Sequence, residues 1–411
     1  MNNSVFRLYL VFVVSFFLHI PDRIPFLGMI RFDLILVGLI FVVLFLDKKH
    51  IQQSSQNEID KILKILFLYI IVSLPFVKWP GSVLNTGLPN FIKAVMFYYY
   101  SVLLINSEKK LKVFMVIFIA CQSFRVFEPL YLHITNGYWG DSTNMAEGEN
   151  LDRLAGAPHD IINSNGLAFV ITSVIPFFHY LSSSSGFKFK ILYFISLPLF
   201  IYSLILTASR TGFLALIVIL SSILFKSRRK LLLGGAIAIS AVIIVLNLSP
   251  LQKERYLSIG DRNVRGGSTA TGRIEGVKTG FRVAFENPIL GSGLGTSREA
   301  NANIAGIDQP AHNLYAEIWQ ELGIIGLVIY LVFIKAIIVN FRNSLQAMKG
   351  NINESVFLKS VLNAMIVWFG MNFLFSFASY GLSSYEWYLF AGLSVVLRRL
   401  LELREKSHIL A

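Results

Sequence analysis

Twelve apolar stretches run along the chain, near residues 5–20, 30–46, 62–77, 91–105, 111–133, 161–181, 188–207, 211–225, 231–248, 314–340, 356–377 and 383–400. A helix needs about 20 mostly apolar residues to cross the hydrocarbon core of a bilayer, with about 17–25 the usual range. In lipid every backbone N–H and C=O must be satisfied within the protein, so runs of this length fold as helices. Several of them are short or carry a proline, as at Pro75, Pro176 and Pro198. Composition agrees: 55% of the 411 residues are hydrophobic and 15% charged, against about 25% charged in a soluble globular domain. A water-soluble domain and a disordered chain are both excluded. The expectation is an all-α integral membrane protein of about twelve transmembrane helices. Helices 1–9 occupy 1–248, one large outer loop with a short amphipathic helix occupies 249–313, and helices 10–12 with a tail occupy 314–411.

The cations set the expected orientation. One set of span ends holds 22 Lys and Arg, from Arg7, Lys48 and Lys49 through Arg228 and Arg229 to Arg398, Arg399 and Arg404, and the opposite set holds seven. Cytoplasmic loops retain Lys and Arg, so both termini are expected in the cytoplasm. The net charge of +13 is then a consequence of topology, and no nucleic-acid partner follows from it. No small-residue cleavage site follows the first stretch; Pro21-Asp22-Arg23 does, and the stretch reads as a retained span. The lone cysteine, Cys121, builds neither an intrachain disulfide nor a Cys-based zinc site.

Two polar segments face the outer side. The first, about 134–160, contains Asp141, Glu147, Glu149, Asp152, Arg153 and His159. The second, 249–313, is the one long loop, and structureless loops above about 12–15 residues are usually functional or disordered. Within it Ile274, Val277, Phe281, Ala284 and Phe285 recur at helical spacing, which predicts a short amphipathic helix over Arg273–Glu286, lying at the membrane surface and ended by Asn287-Pro288. The cytoplasmic loops are too short to hold an active site, so any chemistry belongs to the outer face.

Zinc-protease, P-loop and dinucleotide motifs are all missing, and the seven histidines do not cluster at metal-ligand spacing. No metal or cofactor is implied. Gly291-Ser292-Gly293-Leu294-Gly295 reads as a tight turn. The remaining signals are cations and one imidazole on the outer side. Arg210, in Ser209-Arg210-Thr211-Gly212 at the junction of two spans, either snorkels to head groups or clamps an anion through its planar two-pronged donor set. Arg273, after Thr271-Gly272, opens the expected loop helix; it is either solvated or offset there by a bound anion. His312, immediately before a long span, is either an interfacial residue or a general base. Glu317 and Glu321 lie one and two turns later on one helix face, as an ordinary helix start or as a second tier of the site.

In this order, Ser209-Arg210-Thr211-Gly212, Gly272-Arg273 through Glu286-Asn287-Pro288-Ile289-Leu290-Gly291-Ser292-Gly293, and His312-Asn313 through Glu321-Leu322-Gly323-Ile324-Ile325-Gly326 resemble the bacterial O-antigen ligase and polymerase superfamily. The clearest match covers about 200–340. The resemblance implies a membrane glycosyltransferase of the GT-C type in the bacterial inner membrane. Its donor would be a glycan on undecaprenyl diphosphate, and its reaction would take place at the periplasmic face. By motif position, Arg210 and Arg273 would hold the donor diphosphate and His312 would act on the acceptor hydroxyl. Arg153, in Arg153-Leu154-Ala155-Gly156, resembles a second-tier position.

A sugar hydroxyl is a weak nucleophile that a base activates, while a diphosphate leaves as a stable anion that cations stabilise. The expected enzyme is therefore metal-independent, and direct attack at the anomeric carbon makes it inverting. A polymerase, extending another lipid-linked glycan, is favoured, because nothing in the chain marks a lipid A-core site. A ligase that uses lipid A-core is the alternative. A flippase for the lipid-linked glycan is a further alternative; it would show repeats and midplane polar residues, which the chain lacks.

Overall fold

The computed structural model describes residues 3–46, 57–140, 153–160, 162–227, 229–248, 252–253, 256, 267–349, 355–379 and 381–409. Among these residues there are helices and turns and no strand. The helices that carry the fold are α1 (Asn3–Phe17), α2 (Phe32–Leu46), α3 (Glu58–Ser73), α4 (Leu88–Leu104), α5 (Glu108–Asn136), α6 (Ser164–Ser184) and α7 (Phe187–Thr207). They continue as α8 (Arg210–Lys226), α9 (Lys230–Asn247), α10 (Gly267–Ala284), α11 (Ser297–Ala305), α12 (Leu314–Lys349), α13 (Val356–Phe375) and α14 (Tyr385–Ile409). Each of the twelve apolar stretches falls on one of these helices, within a few residues at its ends. Five of them, α5, α6, α7, α12 and α13, are long and apolar enough to cross a membrane by themselves, whereas α1, α2 and the Lys230–Ile239 part of α9 are apolar but shorter.

Polar capping residues start several of these helices. The side chains of Asn57, Ser107, Asn163, Ser209 and Ser355 accept from backbone N–H groups in the first turns of α3, α5, α6, α8 and α13. Each cap satisfies donors that a helix start leaves open. Helix α4 packs along α14, α6 along α13 and α7, and α12 against α3, α10 and α14. Large aromatics fill the interior, with Trp368, Tyr9, Tyr98, Tyr100, Tyr330 and Tyr388 fully buried. The outside is also apolar: Phe41, Phe45 and Leu46 on α2, Phe194 and Ile195 on α7, and Leu231 and Leu232 on α9 all face outward. A soluble monomer rarely exposes such continuous apolar surface. In a bilayer these side chains meet lipid, so the chain is a multi-pass membrane protein.

Two cations of the sparser set of span ends, Arg125 and Arg23, are paired with carboxylates inside the protein. The Arg125 guanidinium donates to both oxygens of Asp160, at 2.6 and 2.9 Å, and His19 Nε2 is 3.3 Å from the same carboxylate. Arg23 forms a two-pronged pair with Glu128. A buried charge is tolerated when it is paired in this way.

Two features depart from the sequence expectation. The 249–313 segment contains α10 and α11, and residues 252–253 and 256 are helical as well, where one helix was expected. Helix α10 runs from Gly267 to Ala284, so Arg273 lies inside it and does not open it. The anion-at-a-helix-start reading of Arg273 therefore falls. The reason is physical: Gly and Thr each cost a helix no more than about 1 kcal/mol, which does not stop a helix that docks on α12 further along. The apolar stripe of α10 also divides. Ala284 is buried, while Ile274 and Phe285 remain exposed, and the Phe285 ring packs on Trp319 with centroids 4.8 Å apart. The helix is thus docked on the protein along one side.

The second departure is a break in α12. Gly323 has φ 65° and ψ −173°, a backbone conformation open to glycine and strained for other residues. Its partner is the glycine turn. Gly291 lies so close that a Cβ there would stand 2.6 Å from Gly323 N. Backbone groups freed by the break are satisfied across this contact. Ser292 N donates to Gln320 O at 2.7 Å, Gly293 N to Glu321 O at 2.9 Å, and Ile324 N to Pro288 O at 2.8 Å. The Tyr69 hydroxyl donates to Leu322 O at 2.6 Å. The run Gly291–Gly295 is therefore a turn, and it splices the 249–313 segment onto the broken helix.

Candidate active site

Four helices, α6, α8, α12 and α14, begin around one cleft of about 350 Å³. Its wall includes Asn163, Asn165 and Gly166 at the start of α6, Thr211 of α8, His312 and Leu314 at the start of α12, and Ser384, Glu386 and Trp387 at the start of α14. Phe169, Asn372, Phe375, Ser376, Ala378 and Ser379 complete it. The N-terminus of a helix carries about half a positive charge, so four converging starts favour a bound anion.

Arg210 is the first residue of α8, half-buried, and its neighbour Thr211 lines the cleft. The hairpin before it is strained: Ala208 is buried with φ 45°. Such left-handed backbone at a non-glycine residue costs about 1–3 kcal/mol. The strain is held by a polar brace. Ser209 Oγ accepts from Gly212 N at 3.2 Å and donates to Asn165 Oδ1 at 2.9 Å. Arg153, buried, donates from Nη2 to the same Asn165 oxygen at 3.0 Å and from Nε to Thr207 O at 2.8 Å. Arg153 thus fastens the α7–α8 hairpin to a residue of the cleft wall.

His312 is half-buried, and its Nε2 is 3.3 Å from Gln309 Oε1. Two contacts fix the backbone around it. Asn313 Oδ1 caps α12 by accepting from Tyr315 N and Ala316 N at 2.9 and 3.0 Å. Leu314 N donates to Ser376 O at 2.9 Å. Helix α10 lies over the imidazole: a Cβ at Gly276 would stand 2.7 Å from His312 Cδ2, so only a residue without a side chain lets the helix approach so closely. Arg273 is three residues earlier on α10, hence on the same helix face. The geometry therefore brings His312, the Arg210 junction and the Arg153 brace to one cleft, with the Arg273 position one turn from the residue that touches His312.

Glu317 and Glu321 do not line this cleft. Both are buried. Glu317 Oε2 accepts from Gly381 N at 2.6 Å and Leu382 N at 3.0 Å. It thereby anchors the turn that leads into Ser384 and Glu386. Glu321 accepts from Gly295 N at 2.7 Å and Ser297 N at 3.2 Å, which anchors the start of α11. From α11, Asn301 Nδ2 donates to Gln309 O at 2.8 Å, and Arg298 grips Asp308 with contacts of 2.7 and 2.9 Å. That pairing holds the Asp308 carboxyl below the ordinary carboxylate range, an effect of the hydrogen bonds from Arg298. Replacing Glu317 with Ala should cost about 1–3 kcal/mol of stability, because the Gly381 and Leu382 N–H groups lose their acceptor. The thermal midpoint of the full chain in detergent reads this; an unchanged midpoint would show that the Gly381 and Leu382 N–H groups have another acceptor.

Two wall residues escape a reading of the sequence. Glu386 is buried and accepts from Ser384 Oγ at 2.5 Å. As an acidic residue in the first turn of an apolar stretch, it looks like any helix start favoured by the dipole. Asn372 is buried, and its Nδ2 has no partner among the described residues, although it borders the cleft. An amide inside an apolar stretch gave no signal of that role. Asp141, Glu147, Glu149 and Asp152 lie outside the described residues. Among the described residues no three His, Cys, Asp or Glu side chains gather as a metal site.

Residues 195–331 match a family model described as O-antigen ligase. The matched region, about a third of the chain, runs from α7 into α12 and contains Arg210, Arg273, His312, Glu317 and Glu321. No curated protein matches the chain.

Proposed function

We propose, from the match of residues 195–331 to the O-antigen ligase family, that the chain transfers a glycan from undecaprenyl diphosphate to a sugar hydroxyl at the periplasmic face. The observation that carries the proposal is the single cleft: His312 and Thr211 share its wall, Arg210 adjoins it, and four helix starts converge on it.

In this reading the acceptor hydroxyl oxygen attacks the anomeric carbon of the donor. Its proton passes to the neutral His312 imidazole as the carbon–oxygen bond to the diphosphate breaks. The bonding electrons leave with the diphosphate, whose growing charge is stabilised by Arg210, Arg273 and the helix starts. Attack opposite the leaving group inverts the anomeric centre. Arg153 and Glu317 act from the second tier: Arg153 fixes the Arg210 hairpin through Asn165, and Glu317 fixes the turn before Glu386. In this reading the Asn372 amide, which borders the cleft, donates to an oxygen of the glycan. No step requires a metal, and a chelator should leave the rate unchanged.

Polymerase and ligase differ only in acceptor. We favour the polymerase, since no residue of the cleft marks a lipid A-core site. Purified protein given a defined lipid-linked donor, with and without lipid A-core, distinguishes them. Products of two or more repeat units on one lipid support the polymerase, and glycan on lipid A-core would replace it with the ligase.

A further inference from the structure

A second cavity, of about 670 Å³, lies between the start of α3, the end of α4 and the distal halves of α12 and α14. At 1.5 Å per helical residue, Lys335 is about 30 Å along α12 from Leu314, and Arg399 about 20 Å along α14 from Glu386. The cavity is therefore at the end of the bundle remote from His312. Its walls are apolar, formed by Ile62, Val102, Val332, Val339 and Val395, and its polar rim carries Lys335, Arg398 and Arg399. Val332 and Val339 are 46% and 42% exposed, so the cavity opens sideways, where lipid would stand.

Most charges in this cavity are already matched. Arg398 Nε donates to Glu402 at 2.9 Å, and Glu58 accepts from Lys61 at 2.9 Å. Two cations are left over. Lys335 has no ion pair among the described residues. Arg399 donates from Nη1 and Nη2 to the carbonyls of Val102 and Ile105, at 2.9 and 2.6 Å, while its buried Nε has no partner among the described residues. An anion with apolar tails fits both the surplus charge and the aliphatic walls, whereas a free inorganic ion uses only the charge. We infer that this cavity binds the phosphodiester head group of an anionic phospholipid, with Lys335 and Arg399 at the phosphate and the Val and Ile walls against the first part of the acyl chains. Basic pockets between transmembrane helices bind anionic head groups in this manner. The site is independent of the glycan-transfer reading, because none of its residues reaches the His312 cleft.

The test uses the full chain in detergent, titrated with phosphatidylglycerol, with phosphatidylcholine of the same acyl chains, or with inorganic phosphate. Retained lipid is read by native mass spectrometry and the unfolding midpoint by fluorescence. Phosphatidylglycerol should be retained and raise the midpoint, while the other two should do neither. Lys335→Gln should weaken retention about fivefold, the effect of one surface cation on an anionic lipid. Ala336→Trp, which fills the cavity, should abolish retention. Equal retention of phosphatidylcholine, the same midpoint rise from phosphate alone, or unchanged retention in both variants would overturn the inference.

Discussion

Alanine at position 312 should lower glycan transfer about 10²–10⁴-fold, the contribution of a positioned general base, while the protein still inserts and still binds donor. The backbone on either side of the imidazole is held by contacts that do not involve the ring, whose Nε2 lies 3.3 Å from Gln309 Oε1. Asn313 and Leu314 fix the chain on either side of the α12 start, and α10 covers the ring through Gly276. Removing the side chain leaves these backbone contacts intact, so a large loss of rate with normal membrane insertion reports chemistry. Single-turnover transfer with preloaded donor separates the two effects. A wild-type rate in the alanine variant would remove the base assignment, and the acceptor proton would need another destination.

The second large effect concerns the arginines. Arg210→Lys and Arg273→Lys should each reduce the transfer rate about tenfold to 150-fold, the equivalent of about 1.5–3 kcal/mol for a lost charge-assisted contact. Lysine keeps the charge but cannot make two parallel bonds to a diphosphate. The loss should appear with the full lipid diphosphate donor. Each variant should also bind undecaprenyl diphosphate, the product, more weakly. For Arg210 the geometry adds a control: Ser209 and Asn165 hold the hairpin independently of the guanidinium, so Arg210→Lys should not unfold α8. Unchanged kinetics in both variants would argue that the diphosphate sits elsewhere.

The two halves of this protein were unequally readable. Apolar run length located the helices because lipid leaves the backbone no other way to satisfy its hydrogen bonds, and all twelve runs fall on helices in the structure. What run length cannot show is how a run is interrupted. The break at Gly323 depends on Gly291, more than thirty residues earlier, and on Tyr69 from α3; no local pattern encodes that contact. The start of α10 was misplaced for a related reason. Gly267–Gly272 has weak helix propensity, and α10 meets the start of α12 only further along, at Gly276 and Gly280.

The candidate cleft was legible where a cation belonged to the sparser set of span ends, as at Arg153 and Arg210, or where an imidazole preceded an apolar stretch, as at His312. It was illegible where the residue type was ordinary for its position. Glu386 resembles a routine helix start, and Asn372 is one amide in an apolar run. Glu317 and Glu321 were read as neighbours on a helix face, and they are, but their carboxylates point to two different loops. Their contribution, the anchoring of the turn beside the cleft and of the start of α11, could be seen only once those loops were in place.

The measurement closest to the central claim is the stoichiometry of the reaction in proteoliposomes supplied with a defined undecaprenyl-diphosphate glycan and its acceptor. One new glycosidic bond, of inverted anomeric configuration, should form for each free undecaprenyl diphosphate released. Donor that crosses the bilayer intact, with no undecaprenyl diphosphate released and no new bond, would identify a transporter and contradict the account.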